Sequence, residues 1–138
     1  MSSEDVELVR ACYEAFSRGD IEFLVAHTDP ALEIVEPPEM PEARTYRGHD
    51  GLRESLRNWA GQWDEFHMDV ERFIDAGHER VIAIVRHRGR GKSSGAPVEA
   101  RVVYLHTGRN GKGVRWEMFS SLDDAFAAIG LRKLKGET

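Results

Sequence analysis

The apolar period of this chain changes once, near Phe66, and that change constrains the fold more than any other feature. Before it, apolar residues recur at spacings of 3 and 4. Val6, Val9, Tyr13 and Phe16 mark one helix face, widened by Leu8, Cys12 and Ala15. After it, the period is 2 over four runs: Phe66–Asp75, Arg80–Arg90, Val98–Thr107 and Val114–Ser121. Gly77, the segment 91–97 and Arg109-Asn110-Gly111 supply the turns between them. Consecutive strands joined by such short turns make an antiparallel meander. Helices first and strands later predict an α+β domain, with helices on one face of a curved sheet.

Punctuation residues set the expected boundaries. Ser2 and Asp5 form a capping box for the first helix, and Gly19 takes the left-handed position after it. Asp20 caps a short second helix, Ile21 to His27, which Pro30 ends. Leu32–Glu36 alternates as a strand. Pro37, Pro38 and Pro41 then make 36–45 an irregular loop. Asp50 is expected to cap a third helix with Leu52, Leu56, Trp59 and Trp63 as its apolar stripe. Asp123 caps a final helix through Ile129, with Gly130 as stop. One domain is expected over residues 1–131, followed by a polar tail at 132–138.

Charge and composition narrow the function classes. Acidic residues outnumber basic ones 24 to 19, so a phosphate backbone is repelled and no nucleic-acid partner is expected. The basic alternation Arg86, Arg88, Arg90 and Lys92 has no interleaved aromatics and is expected on a solvated hairpin. Gly91-Lys92-Ser93 ends like a phosphate-binding loop, but Arg86 stands where that loop needs glycine. The single cysteine, Cys12, excludes an internal disulfide and a thiolate zinc cluster. His27, His49, His67, His78 and His87 form no H-x-H or H-E-x-x-H pair, so no metal is expected. No apolar run reaches the roughly 20 residues of a membrane span, and the acidic N-terminus does not resemble a leader. A cytoplasmic protein with no membrane partner is the expectation.

Four segments in order carry a family resemblance: Tyr13-Glu14-Ala15-Phe16-Ser17-Arg18-Gly19-Asp20-Ile21, Pro30 to Pro37, Tyr46-Arg47-Gly48-His49-Asp50-Gly51-Leu52, and Asn110 to Glu117. Together they resemble the SnoaL-like and ketosteroid-isomerase-like proteins of the nuclear transport factor 2-like superfamily. The resemblance implies a cone-shaped α+β barrel, with a bent antiparallel sheet wrapped around the N-terminal helices. It also implies a deep apolar pocket for a small apolar or polycyclic molecule, and a homodimer through the outer sheet face. Its chemistry is acid–base and uses no cofactor. The same fold also hosts non-catalytic binding and dimerisation modules.

The resemblance puts a hydroxyl donor at Tyr13 and a carboxylate base at Glu36. The second donor of the ketosteroid isomerases, an aspartate, falls at Tyr104, so the steroid site is not intact. Each position also has a plain structural reading: Tyr13 as a core residue with its hydroxyl at a rim, Glu36 as a solvated loop residue. Period 2 puts His106 and Val102 on the face of Tyr104, with Val103 and Leu105 turned to the other side, toward a dimer partner. His106 is either an acid–base group or a strand-end residue bonded to backbone. By family position Glu117 faces the pocket with Arg115 and Phe119; a structural ion pair with Arg115 or Arg101 is the competing reading. His87 points inward if Arg86, Arg88 and Arg90 seek water. Phe16, Trp59, Trp63 and Phe119 complete the expected apolar wall.

Overall fold

The structure is a computed structural model that describes residues 3–40 and 42–130. The expected tail at 132–138 and the Ser2 cap lie outside the described residues. Helix α1 spans Glu4–Ser17, and its N-cap is Ser3, whose Oγ accepts from Val6 N–H at 3.1 Å. Gly19 takes φ 74°, and Asp20 caps α2 (Ile21–Ala26) by accepting from Phe23 N–H at 3.1 Å.

Strand β1 runs Thr28–Val35, four residues earlier than the alternation suggests. Pro30 therefore lies inside a strand. It is tolerated because the ladder to the neighbouring strand is irregular between Thr28 and Glu33, so no ladder bond is lost there. A three-residue strand, β2 (Thr45–Arg47), follows the proline loop, where the sequence suggested none, and pairs with Glu33–Val35. Helix α3 spans Gly48–Ala60 with Arg47 at its N-cap and no side-chain cap. Asp50 sits in its first turn instead. Trp63 is not the end of the α3 stripe. Gly61 closes the helix, and Trp63 opens β3 (Trp63–Gly77).

Strands β4 (Arg80–Gly91), β5 (Pro97–Arg109) and β6 (Lys112–Phe119) complete the meander. Helix α4 (Leu122–Ala128) is capped by Ser121, which accepts from Asp124 N–H, and not by Asp123. One six-stranded sheet results, in the order β2-β1-β6-β5-β4-β3. The sheet is mixed, because β1 runs parallel to β6. Register shifts at three places in β3 bend it.

Two apolar clusters lie on opposite faces of this sheet. Inside the curve, Ala15, Leu24, Leu32 and Leu52 join α1, α2, α3 and β1, with Trp116 of β6 packed against them. Outside, Ile82, Val103 and Leu105 are covered by Ala125, Leu122 and Phe126 of α4. The far side of Val103 and Leu105 is thus occupied by the chain's own last helix. Among the described residues, no helix is long and apolar enough to cross a membrane.

Candidate active site

The helices do not fill the concave side of the sheet. A cavity of about 140 Å³ remains, walled by α1, α3, β1, β5 and β6. A void of about 150 Å³ accepts a benzene-sized guest, so one ring fits and a larger ligand would extend through the mouth.

Two tyrosine–histidine pairs set the polarity of this cavity. Tyr13, on α1, and His106, on β5, meet with Oη and Nε2 2.7 Å apart. Tyr104, two residues before His106, meets His87 of β4 with Oη and Nε2 3.1 Å apart. The pairs are adjacent: the Tyr13 and Tyr104 rings lie 6.3 Å apart, edge to face. Burial pushes the imidazolium form out of both histidines, His87 down to about 4 and His106 to about 3. Burial also raises both phenols, Tyr13 well above the ordinary range. Tyr13, Tyr104 and His106 therefore meet the apolar chamber, with His87 behind its wall, and all four are without charge at neutral pH. A neutral phenol in such surroundings is a strong hydrogen-bond donor to an oxygen that gains negative charge.

Glu36 lines the same cavity, just past the end of β1. Its Oε1 accepts from Arg44 N–H at 3.2 Å, and its own N–H donates to the Arg44 carbonyl at 3.2 Å. The loop that the prolines impose thus holds this carboxylate at the cavity wall. Phe16 and Trp59 also line it. His87 sits behind the wall, 5% exposed, with its ring 5.5 Å from Trp59 and 5.2 Å from Phe66. Trp63 is also one layer out, packed on Trp59 and Phe66. Val102 pairs with Val85 beside Tyr104, outside the cavity wall.

The inward side of β6 is the reverse of the expected one. Trp116 and Met118 pair with His106 and Tyr104 and share their face. Phe119 pairs with Val103 and packs in the outer cluster under α4. Glu117 borders the cavity, but its carboxylate is paired with Arg115 at 3.3 Å. Arg115 also binds Glu33 at 2.6 Å, and Glu33 pairs with Arg47, so Glu117 belongs to a structural ion-pair network. Large apolar residues occupy both faces of β6 because one meets the cavity and the other meets α4.

The cavity also contains residues the sequence did not single out. Tyr46, 6% exposed, accepts at Oη from Arg44 Nε and from Asn58 Nδ2, both at 3.0 Å. Asn58 follows Ser55 by three positions, and that helical spacing was the available signal. Among the described residues, no group of three His, Cys, Asp or Glu side chains is placed to hold a metal ion.

A bent mixed sheet closed by N-terminal helices around an apolar cavity with hydrogen-bonded tyrosines defines an α+β cone of the nuclear transport factor 2-like type. The chain belongs to the SnoaL-like domain family, whose model matches residues 9–116. It is similar to an NTF2-like protein from Burkholderia thailandensis at 30% identity, covering 87% of this chain and 92% of that one, with a TM-score of 0.77. An NTF2-like protein of unknown function from Burkholderia pseudomallei shares 23% identity over 91% and 97% of the two chains, with a TM-score of 0.78. TerC, co-crystallised with polyporic acid, shares 26% identity over 91% and 97%, with a TM-score of 0.76. No curated protein matches the chain.

Proposed function

We propose that this protein binds a small, mainly apolar molecule bearing an oxygen acceptor and performs cofactor-free acid–base chemistry on it. Isomerisation, aldol-type cyclisation and water addition are the reaction classes that fit. The observation that carries this reading is the convergence of Tyr13, Tyr104 and Glu36 on one cavity. Glu36 would take a proton from carbon beside a carbonyl. The Tyr13 and Tyr104 hydroxyls would donate to the developing oxyanion. His106 and His87 would hold those hydroxyls in place. The crystallisation of a similar protein, TerC, with polyporic acid supports a ligand-binding role for the cavity.

Deuterium exchange at the carbon positions of 2-cyclohexenone in D2O tests the proposal without knowledge of the natural substrate. The protein should accelerate exchange, and Glu36→Gln should reduce the acceleration by more than about tenfold. Binding of the ketone with no accelerated exchange would favour the second reading, a non-catalytic binding module. That reading draws on the engagement of the Glu36 carboxylate by the Arg44 amide. A homodimer through the outer sheet face belongs to the same proposal. That face carries alternating charges, with Asp69 paired to Arg88 and Glu71 to Arg86 and Arg101, a pattern that a two-fold copy can complement. Sedimentation at low and high salt tests it.

A further inference from the structure

Tyr46 differs from the other tyrosines of the main cavity because its oxygen already accepts twice. Arg44 Nε and Asn58 Nδ2 both donate to Oη at 3.0 Å. A phenol oxygen offers two lone pairs and one proton. The two donors take the lone pairs, so the Tyr46 proton points elsewhere, and among the described residues no group accepts it. Tyr46 is buried and lines the cavity. The cavity is therefore where an acceptor for that proton can sit.

The surroundings hold this hydroxyl in place and strengthen it. The Arg44 guanidinium lies over the Tyr46 ring, 4.7 Å from its centroid. Helix α3 approaches closely because residue 51 is glycine: a Cβ there would lie 3.0 Å from the Tyr46 carbonyl carbon. Two incoming N–H groups, one of them charged, draw density from the oxygen and make its O–H a better donor. Arg44 also holds Glu36 through its backbone N–H and carbonyl, so one residue positions both the carboxylate and the hydroxyl. The tyrosine–histidine pairs lie elsewhere on the wall. One rung of the sheet runs Tyr46, Ile34, Trp116, His106, across the order β2-β1-β6-β5. At about 4.8 Å per strand, the Tyr46 and His106 backbones stand roughly 14 Å apart along the sheet.

We propose that Tyr46 is a specificity-determining donor for a second ligand oxygen, so that the protein takes an apolar molecule with an acceptor oxygen at each end. The inference rests on the ligand-binding reading of this cavity, in which Tyr13 and Tyr104 serve the first oxygen. The second oxygen is a ketone, ester or quinone carbonyl, because Tyr46 has no lone pair left to receive a donor. Arg44 and Asn58 are positioning residues that act through Tyr46.

Isothermal titration with 4-ethylphenol and 4-hydroxyacetophenone tests this, since the two differ by one carbonyl oxygen at the end remote from the phenol. The ketone should bind wild-type protein about fivefold or more tighter. Tyr46→Phe should abolish that difference and keep the preference for p-cresol over toluene, which reports on Tyr13 and Tyr104. Asn58→Asp puts an acceptor where the amide N–H stood. It should capture the Tyr46 proton and abolish the difference with the tyrosine still in place. In ketone labelled with 13C at the carbonyl, that resonance should move downfield on binding wild-type protein and on binding neither variant. Equal affinity of wild-type protein for the two ligands overturns the role of Tyr46 whether or not Tyr46→Phe folds. A difference that survives in either folded variant overturns it as well. Wild-type protein that prefers the ketone but does not prefer p-cresol over toluene would contradict the tyrosine pair and leave the donor role of Tyr46 standing, so the two readings fail separately.

Discussion

Tyr13 and His106 stand 93 positions apart in sequence, yet their side chains meet at 2.7 Å, and among the described residues neither side chain has another hydrogen-bond partner. Removing one therefore strands the other. Tyr13→Phe should cost about 1–3 kcal/mol, because Nε2 of a buried histidine loses its partner. His106→Phe should cost a similar amount. The double variant should cost clearly less than the sum, as read from urea unfolding of all four proteins. Additive losses would mean the pair is not coupled.

The two histidines predict an acid-sensitive fold. Their folded values, about 4 for His87 and about 3 for His106, lie below the ordinary value of 6.5. The unfolded chain therefore binds protons first as pH falls. Stability is full above pH 6.5 and declines between 6.5 and 4, by up to about two protons' worth of slope. Urea unfolding at pH 7, 6 and 5 should show falling midpoints. Midpoints that hold constant from pH 7 to 5 would contradict neutral burial of these rings.

Cys12 makes a reporter for the cavity it helps to wall. Burial pushes its thiol up to about 11, which leaves little thiolate at pH 8. Iodoacetamide should label it about a hundredfold more slowly in the folded protein than in urea. Mass spectrometry should also show that p-cresol slows the labelling further, since Cys12 touches the main cavity.

Glu79 ties two hairpins together. It sits at φ 58° in the β3–β4 turn, and its carboxylate accepts from Asn110 N–H at 2.9 Å and Gly111 N–H at 3.4 Å. Its carbonyl accepts from Gly108 N–H at 2.7 Å. Glu79→Ala should lower stability by about 1–2 kcal/mol, and Glu79→Gln, which keeps one acceptor oxygen, by less than half of that. Thermal unfolding measures the difference.

The strand meander was legible because alternation survives wherever one sheet face is buried and the other meets water. All four runs were placed within about three residues of their observed ends. The misreadings have local causes. Trp63 lies four positions after Trp59 and continues the helical stripe, although Gly61 has already closed the helix. Strand β2 is too short to show a period. Family position puts the Arg115, Glu117 and Phe119 face of β6 inward, and the structure reverses it: α4 gives Phe119 an apolar cover on the outer face, which no pattern within β6 encodes. Tyr104 and His106 were paired correctly on one face by period 2. Their hydroxyl and ring partners, His87 and Tyr13, come from other elements, and no local pattern encodes a contact made by sheet curvature. The parallel pairing of β1 with β6 is invisible for the same reason.

Isothermal titration with p-cresol and toluene tests the central claim most directly, because the two ligands share shape and differ by one hydroxyl. The neutral tyrosine pair predicts that p-cresol binds about tenfold tighter, and that Tyr13→Phe/Tyr104→Phe abolishes the preference. Equal affinity for the two ligands, or a preference that survives in the folded double variant, would contradict it.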